Sequence, residues 1–151
     1  MLPAQVRMLA FDIKANTPVI VLEVGKDRIV PIWIGIAEAR AIAMALAGLK
    51  PVRPMSHDLM KEIIDGLDAK LERVVITGIR EDIYYALLHI NQQDRTIVVD
   101  ARPSDSIALA LRTNSPIFVS KDTPIIEETE KNKLFLELKN RLRAIRPEDI
   151  A

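Results

Sequence analysis

The stretch KLERVVITGIREDIYYALLHINQQDRTIVVDARPSDSIALALR, residues 70–112, decides the fold. Lys70 to Ile79, Ile83 to Ile90 and Arg95 to Asp100 are runs with many β-branched or aromatic residues, and each reads as a strand. Glu81-Asp82 and Gln92-Gln93-Asp94 fall where turns are needed. From Pro103 to Arg112 the pattern becomes helical, with Pro in the first turn and Ile107-Ala108-Leu109-Ala110-Leu111 behind it. Strands joined by short turns and followed by a helix predict a mixed or antiparallel sheet packed with helices, an α+β domain.

The flanking segments extend this pattern. Val6 to Ile13 and Val19 to Val24 read as strands around the turn Asn16-Thr17-Pro18, and Gly25-Lys26-Asp27 turns the chain into Arg28 to Ile34. Pro31 lacks an N–H, which predicts an edge position or a bulge, and Trp33 is expected in the core or an interface. Glu38 to Leu49 is so rich in Ala, Ile, Met and Leu that a helix buried all round is expected, in the core or between subunits. Leu59, Ile63, Ile64 and Leu67 form a helical stripe, and Pro116 to Val119 a short strand. Asp122-Thr123-Pro124 predicts the start of a C-terminal amphipathic helix that carries Leu134, Phe135, Leu138, Leu142 and Ile145 on one face. Ile32 to Leu46 aligns without gaps with Ile97 to Leu111, a weak internal repeat of strand-turn-helix units.

Bulk properties exclude several classes. The 151 residues suffice for one domain with a real core, and 49% apolar with 28% charged residues reads as soluble and globular. The 21 basic and 21 acidic residues balance, so any nucleic-acid footprint has to be local. Cysteine is absent, which removes disulfide scaffolds, Cys-ligated zinc and thiol nucleophiles, and is compatible with a cytoplasmic setting. No signal peptide and no membrane span are expected. Aromatics at 4% argue against a base-stacking platform.

Two short elements concentrate the chemistry: Arg53-Pro54-Met55-Ser56-His57-Asp58 and Asp100-Ala101-Arg102-Pro103-Ser104-Asp105. Each sets Arg-Pro ahead of Ser and Asp at the start of a helix. Helix initiation accounts for Pro103, Ser104 and Ser56, the last as N-cap. It does not account for Arg102, because a cation is misplaced at the positive end of a helix dipole. Arg102 therefore pairs with Asp100 or Asp105, or faces a ligand anion. Arg53, Arg102 and Ser104 are the candidate phosphate-binding groups. His57 is a candidate base or acid, with Asp58, Asp100 and Asp105 as candidate catalytic carboxylates. The same three carboxylates could hold a hard divalent cation such as magnesium, which would lower the pKa of a bound water. Glu38 and Arg40 are expected to pair with each other or to contact an Arg-Pro segment. No phosphate-binding Gly-rich loop, nucleophile elbow or HExxH motif is present.

The stretches Leu22 to Gly35, Glu38 to Leu46, Arg53-Pro54 with Ser56-His57-Asp58-Leu59, and Val99 to Ala110 around Asp-Ala-Arg-Pro-Ser-Asp resemble the bifunctional nuclease domain family. The resemblance runs from about Val6 to about Ser120. It implies an α+β domain over residues 1–121, a homodimer, and cleavage of both DNA and RNA. Residues 122–151 are then expected to be a C-terminal helical extension packed on that domain. The alternative expectation is a non-enzymatic, dimerising module that binds an anion or nucleotide for regulation.

Overall fold

A computed structural model describes residues 1–151. Nine strands form one mixed sheet, with five helices around it. β1 (Leu2–Asp12), β2 (Thr17–Val24) and β3 (Arg28–Trp33) are an antiparallel meander. α1 (Ile36–Leu46) and α2 (Ser56–Gly66) follow. β4 (Ala69–Arg80), β5 (Ile83–Gln92) and β6 (Arg95–Ala101) form a second meander that leads into α3 (Pro103–Thr113) and β7 (Ile117–Val119). The chain closes with β8 (Ile126–Glu127), α4 (Lys133–Arg141), β9 (Leu142–Ile145) and α5 (Pro147–Ile150).

The hairpin β4–β5 turns through Glu81 and Asp82, and β5–β6 through Gln93 and Asp94, all four at positive φ. Two central residues with φ > 0 define the turn whose twist matches its flanking strands. The β2–β3 connection is longer, with Gly25 and Asp27 at positive φ on either side of Lys26.

The strand order is β6-β5-β4-β7-β1-β2-β3-β8, with β9 also on β1. β7 lies parallel to β4 and antiparallel to β1, and so joins the two meanders. β8 pairs only Arg28 and Ile29, so Pro31 stands beyond it on an open strand edge. The sheet curves strongly: Tyr84 Oη of β5 donates to the Pro31 carbonyl of β3 at 3.2 Å, although four strands separate β5 from β3 in the sheet order. Ile20, Leu22, Val30, Ile32, Val74 and Ile76 line the concave face, where Ile42 and Ala43 of α1 and Ile107 and Ala108 of α3 cover them. On the opposite face Leu138 of α4 packs on Val19, Val21 and Ile29.

Five expectations change. α1 buries only one side, Ala39, Ile42, Ala43 and Met44, and ends at Leu46. Its small residues allow close packing on α3 without covering the remainder. In the stripe of α2, Leu59, Ile63 and Leu67 are exposed, while Ile64 packs partly on the core, because α2 lies outermost over α3 and β4. No helix starts at Asp122-Thr123-Pro124; Thr123 is buried, and its Oγ1 donates to the Ile76 carbonyl at 3.2 Å. The C-terminal amphipathic helix is the shorter α4, and Leu142 and Ile145 leave it for β9. There they pair Asp12 and Leu9 on the edge of β1 that β7 leaves open, which satisfies backbone groups that a continued helix would strand. Trp33 is not in the core: it is 38% exposed, with its Nε1–H given to Asp12.

Candidate functional site

The N-termini of α1, α2 and α3 converge on one groove of about 760 Å³. Each helix carries an acid in its first turn: Glu38, Asp58 and Asp105. An anion there answers unpaired N–H groups and the helix dipole. The tertiary fold brings arginines to Glu38 and Asp58, while Asp105 takes its own from Arg102 at the same helix start.

Asp105 is the centre. Its Oδ1 lies 2.9 Å from His57 Nε2 and accepts from Arg102 Nη2 at 3.1 Å, while Oδ2 accepts from Arg102 Nε at 2.9 Å. Arg102 Nη1 reaches Glu38 Oε1 at 3.4 Å. Burial opposes ionisation of Asp105 and is the largest single influence on it. The hydrogen bonds and charges of Arg102 and His57 together outweigh burial and hold the carboxyl below its ordinary range. The Asp105 bonds in turn hold the Arg102 guanidinium above its ordinary value. An ionised Asp105 only accepts hydrogen bonds, so His57 Nε2 carries the proton in this bond. His57 is itself buried and forms part of the groove wall.

Asp58 braces the arrangement from behind. Its Oδ2 accepts from Met55 N at 3.0 Å and its Oδ1 from Arg112 Nε at 2.9 Å. Arg112 also donates to the carbonyls of Ala108 at 2.8 Å and Ala41 at 2.9 Å, and so ties α1, α2 and α3 together with a side chain only 9% exposed. Burial is again the largest single influence on Asp58. The Met55 N–H and the Arg112 guanidinium override it and keep this carboxyl low as well.

The two Arg-Pro elements are out of register in space. Arg102 is the N-cap of α3, whereas Met55, not Ser56, is the N-cap of α2. Arg53 therefore precedes the cap by two positions, exposed and outside the ion pairs of the groove. Ser104 is buried and faces a different groove from that of His57. Asp100 is exposed on β6 opposite Leu87. Its neighbours Val99 and Ala101 pair Leu88 and Ala86 on the core side, so strand alternation turns Asp100 to the other face of the sheet.

These placements bear on the divalent cation. Asp58, Asp100 and Asp105 do not converge, and no group of three or more carboxylate or imidazole side chains forms a cation cage. The oxygens of Asp58 and Asp105 already accept N–H groups. This donor set does not fit a shared hard cation.

Sequence reasoning missed Arg112 and Asp12. Arg112 had a signal, being seven residues after Asp105 and therefore on the same helix face, as the one charge that ends an apolar run. Asp12 gave none, because its partners Trp33 and Arg141 come from distant parts of the chain.

A curved mixed sheet whose helix N-termini gather an Asp–His pair and several guanidinium groups in an open groove defines an α+β domain with a charged groove at its helix starts. The chain belongs to the bifunctional nuclease domain family, whose sequence model matches residues 19–147. It is 47% identical over 107 residues to an uncharacterized protein of Mycobacterium tuberculosis, covering 70% of this chain and 63% of that protein. It is 30% identical over 106 residues to bifunctional nuclease 1 of Oryza sativa subsp. indica, covering 68% of this chain and 32% of the plant protein. Against bifunctional nuclease 1 of Arabidopsis thaliana it is 28% identical over 112 residues, covering 71% and 34%. The chain thus spans less than two thirds of the length of these curated relatives. No helix is long and apolar enough to cross a membrane.

Proposed function

We propose that the groove hydrolyses phosphodiester bonds of DNA and RNA, with the His57–Asp105 pair as its acid–base centre. The bond between His57 Nε2 and Asp105 Oδ1 carries this reading, because an ionised carboxylate on Nε2 orients the ring and leaves Nδ1 basic. His57 Nδ1 takes a proton from water, and the hydroxide attacks phosphorus. The ester P–O bond breaks, and the leaving oxygen takes a proton from solvent. Arg102, 64% exposed, keeps N–H groups for the phosphate oxygens, and Arg40 stands exposed on the same groove. The names of the plant relatives support the substrate class. The exposed residues Leu59, Ile63 and Leu67 of α2 favour a homodimer that buries them.

The test is cleavage of linear DNA and RNA by the purified chain, with and without chelator. Cleavage is expected in both, persisting in chelator if the groove works as folded. Binding without cleavage would favour the anion-binding module instead.

Gly35 offers a finer probe. A Cβ there would lie 2.5 Å from Glu38 Oε2, and the far end of that flexible side chain would have to move. Gly35→Ala is expected to shift the Tm by only a few degrees and to tighten oligonucleotide binding about two- to fivefold, since Arg102 loses a competing carboxylate at an exposed pair. Filter binding at low salt checks this, with Glu38→Gln expected to match it.

A further inference from the structure

Arg102 is the shared wall of two grooves. On one side lie His57 and Asp105; on the other a shallower groove of about 350 Å³ is lined by Trp33, Ile83, Tyr84, Asp82 and Ser104. That size lies within the range of small-molecule sites. We propose that this second groove binds a nucleobase that has left its stack, adjoining the phosphate engaged by Arg102. The proposal rests on the nuclease reading and names how such a site would hold its substrate.

Three observations carry it. Trp33 is 38% exposed and Ile83 56% exposed, side chains whose apolar surface a covering ligand would remove from water. Both aromatic residues are fixed by their polar ends: Trp33 Nε1 donates to the buried Asp12 at 2.9 Å, and Tyr84 Oη to Pro31 O at 3.2 Å. A ring already held in place loses little conformational entropy when a base covers it. Lastly, the groove is continuous with the acid–base groove through the one cation common to both, so a phosphate and its neighbouring base can be engaged together. Scarce aromatics speak against a platform for many bases, but one pinned indole suits one base. Asp82 and Ser104 in the lining supply polar groups for a base edge.

Trp33 is the only tryptophan, so its emission reports this groove directly. The full chain is titrated with a short phosphorothioate oligothymidylate, which resists cleavage, and with the same backbone lacking bases. Oligothymidylate is expected to quench Trp33 and to bind about tenfold tighter than the abasic strand, in keeping with stacking on an aromatic. Ile83→Asp, an exposed position that should not disturb folding, is expected to abolish most of that difference. Equal affinities with unchanged emission would overturn the proposal. The cleavage assay separates the two readings: base-dependent binding without cleavage keeps the subsite and removes the hydrolytic reading, whereas cleavage with no base dependence does the reverse.

Discussion

Asp105→Asn and His57→Gln are each expected to lower phosphodiester cleavage by about 100-fold or more, the usual contribution of a positioned general base. The two variants act by different routes. Gln removes the basic nitrogen. Asn keeps the shape of Asp105 but loses the charge that accepts from His57 Nε2 and from two N–H groups of Arg102. A neutral amide no longer dictates which ring nitrogen carries the proton, and the Nδ1 lone pair ceases to be assured. Arg102 is also released, so Asp105→Asn is expected to bind substrate as well as the parent or better while cleaving poorly. His57→Gln should leave binding unchanged. Both proteins should remain folded, since Asp105 is partly exposed and the brace of Asp58 and Arg112 is untouched. Single-turnover cleavage with parallel binding isotherms reads this split. Full-rate cleavage by both variants, with circular dichroism intact, would move the chemistry away from this pair.

Asp12→Ala is expected to be the most damaging change to stability. Asp12 is fully buried and accepts from Trp33 Nε1 at 2.9 Å, Lys14 N at 3.0 Å, Ala15 N at 3.1 Å and both Arg141 Nε and Nη2. One carboxylate thus binds β1, its turn, β3 and the end of α4, next to the point where β9 joins β1. Removing one partner of a buried ion pair costs about 3–5 kcal/mol. Arg141 keeps 33% of its side chain in water, which places the loss near the lower end, about 3 kcal/mol. That corresponds to a fall in Tm of roughly 10 °C for a chain of this size. The same residue sets an acid limit. Burial raises the Asp12 pKa and is the largest single influence, but the bonds from Arg141, Trp33, Ala15 and Lys14 together depress it well below the ordinary carboxylate range. A carboxyl with a lower pKa in the folded state stabilises fully above its unfolded value of about 4, and this stability is lost as pH falls below it. Asp58 and Asp105 are shifted in the same direction and add to the effect. Thermal scans from pH 7 down to pH 3 should show a falling Tm below about pH 4, with a shallower decline in Asp12→Ala. An Asp12→Ala protein with parental Tm and acid profile would show that the network contributes nothing net.

The α+β class, the hairpins, the start of α3 and the family resemblance were legible from local pattern alone. Tight turns, β-branched runs and a Pro-led helix are decided by residues within a few positions of one another. The sequence also marked Arg53, Arg102, His57 and Asp100 as residues that helix capping could not explain, with Asp58 and Asp105 as caps that could serve twice. Only the tertiary structure decided how these residues combine. It left Arg53 outside the ion pairs of the groove, because the two Arg-Pro elements meet their helices in different registers, and it turned Asp100 to the other face of the sheet by strand alternation. It paired His57 with Asp105 across 48 positions, and Asp58 with Arg112 across 54. It replaced the expected long C-terminal helix with α4 and β9, because the open edge of β1 needed partners for its backbone groups. Each of these outcomes depends on distant groups becoming neighbours and exchanging water for one another, a condition that periodicity along the chain does not contain.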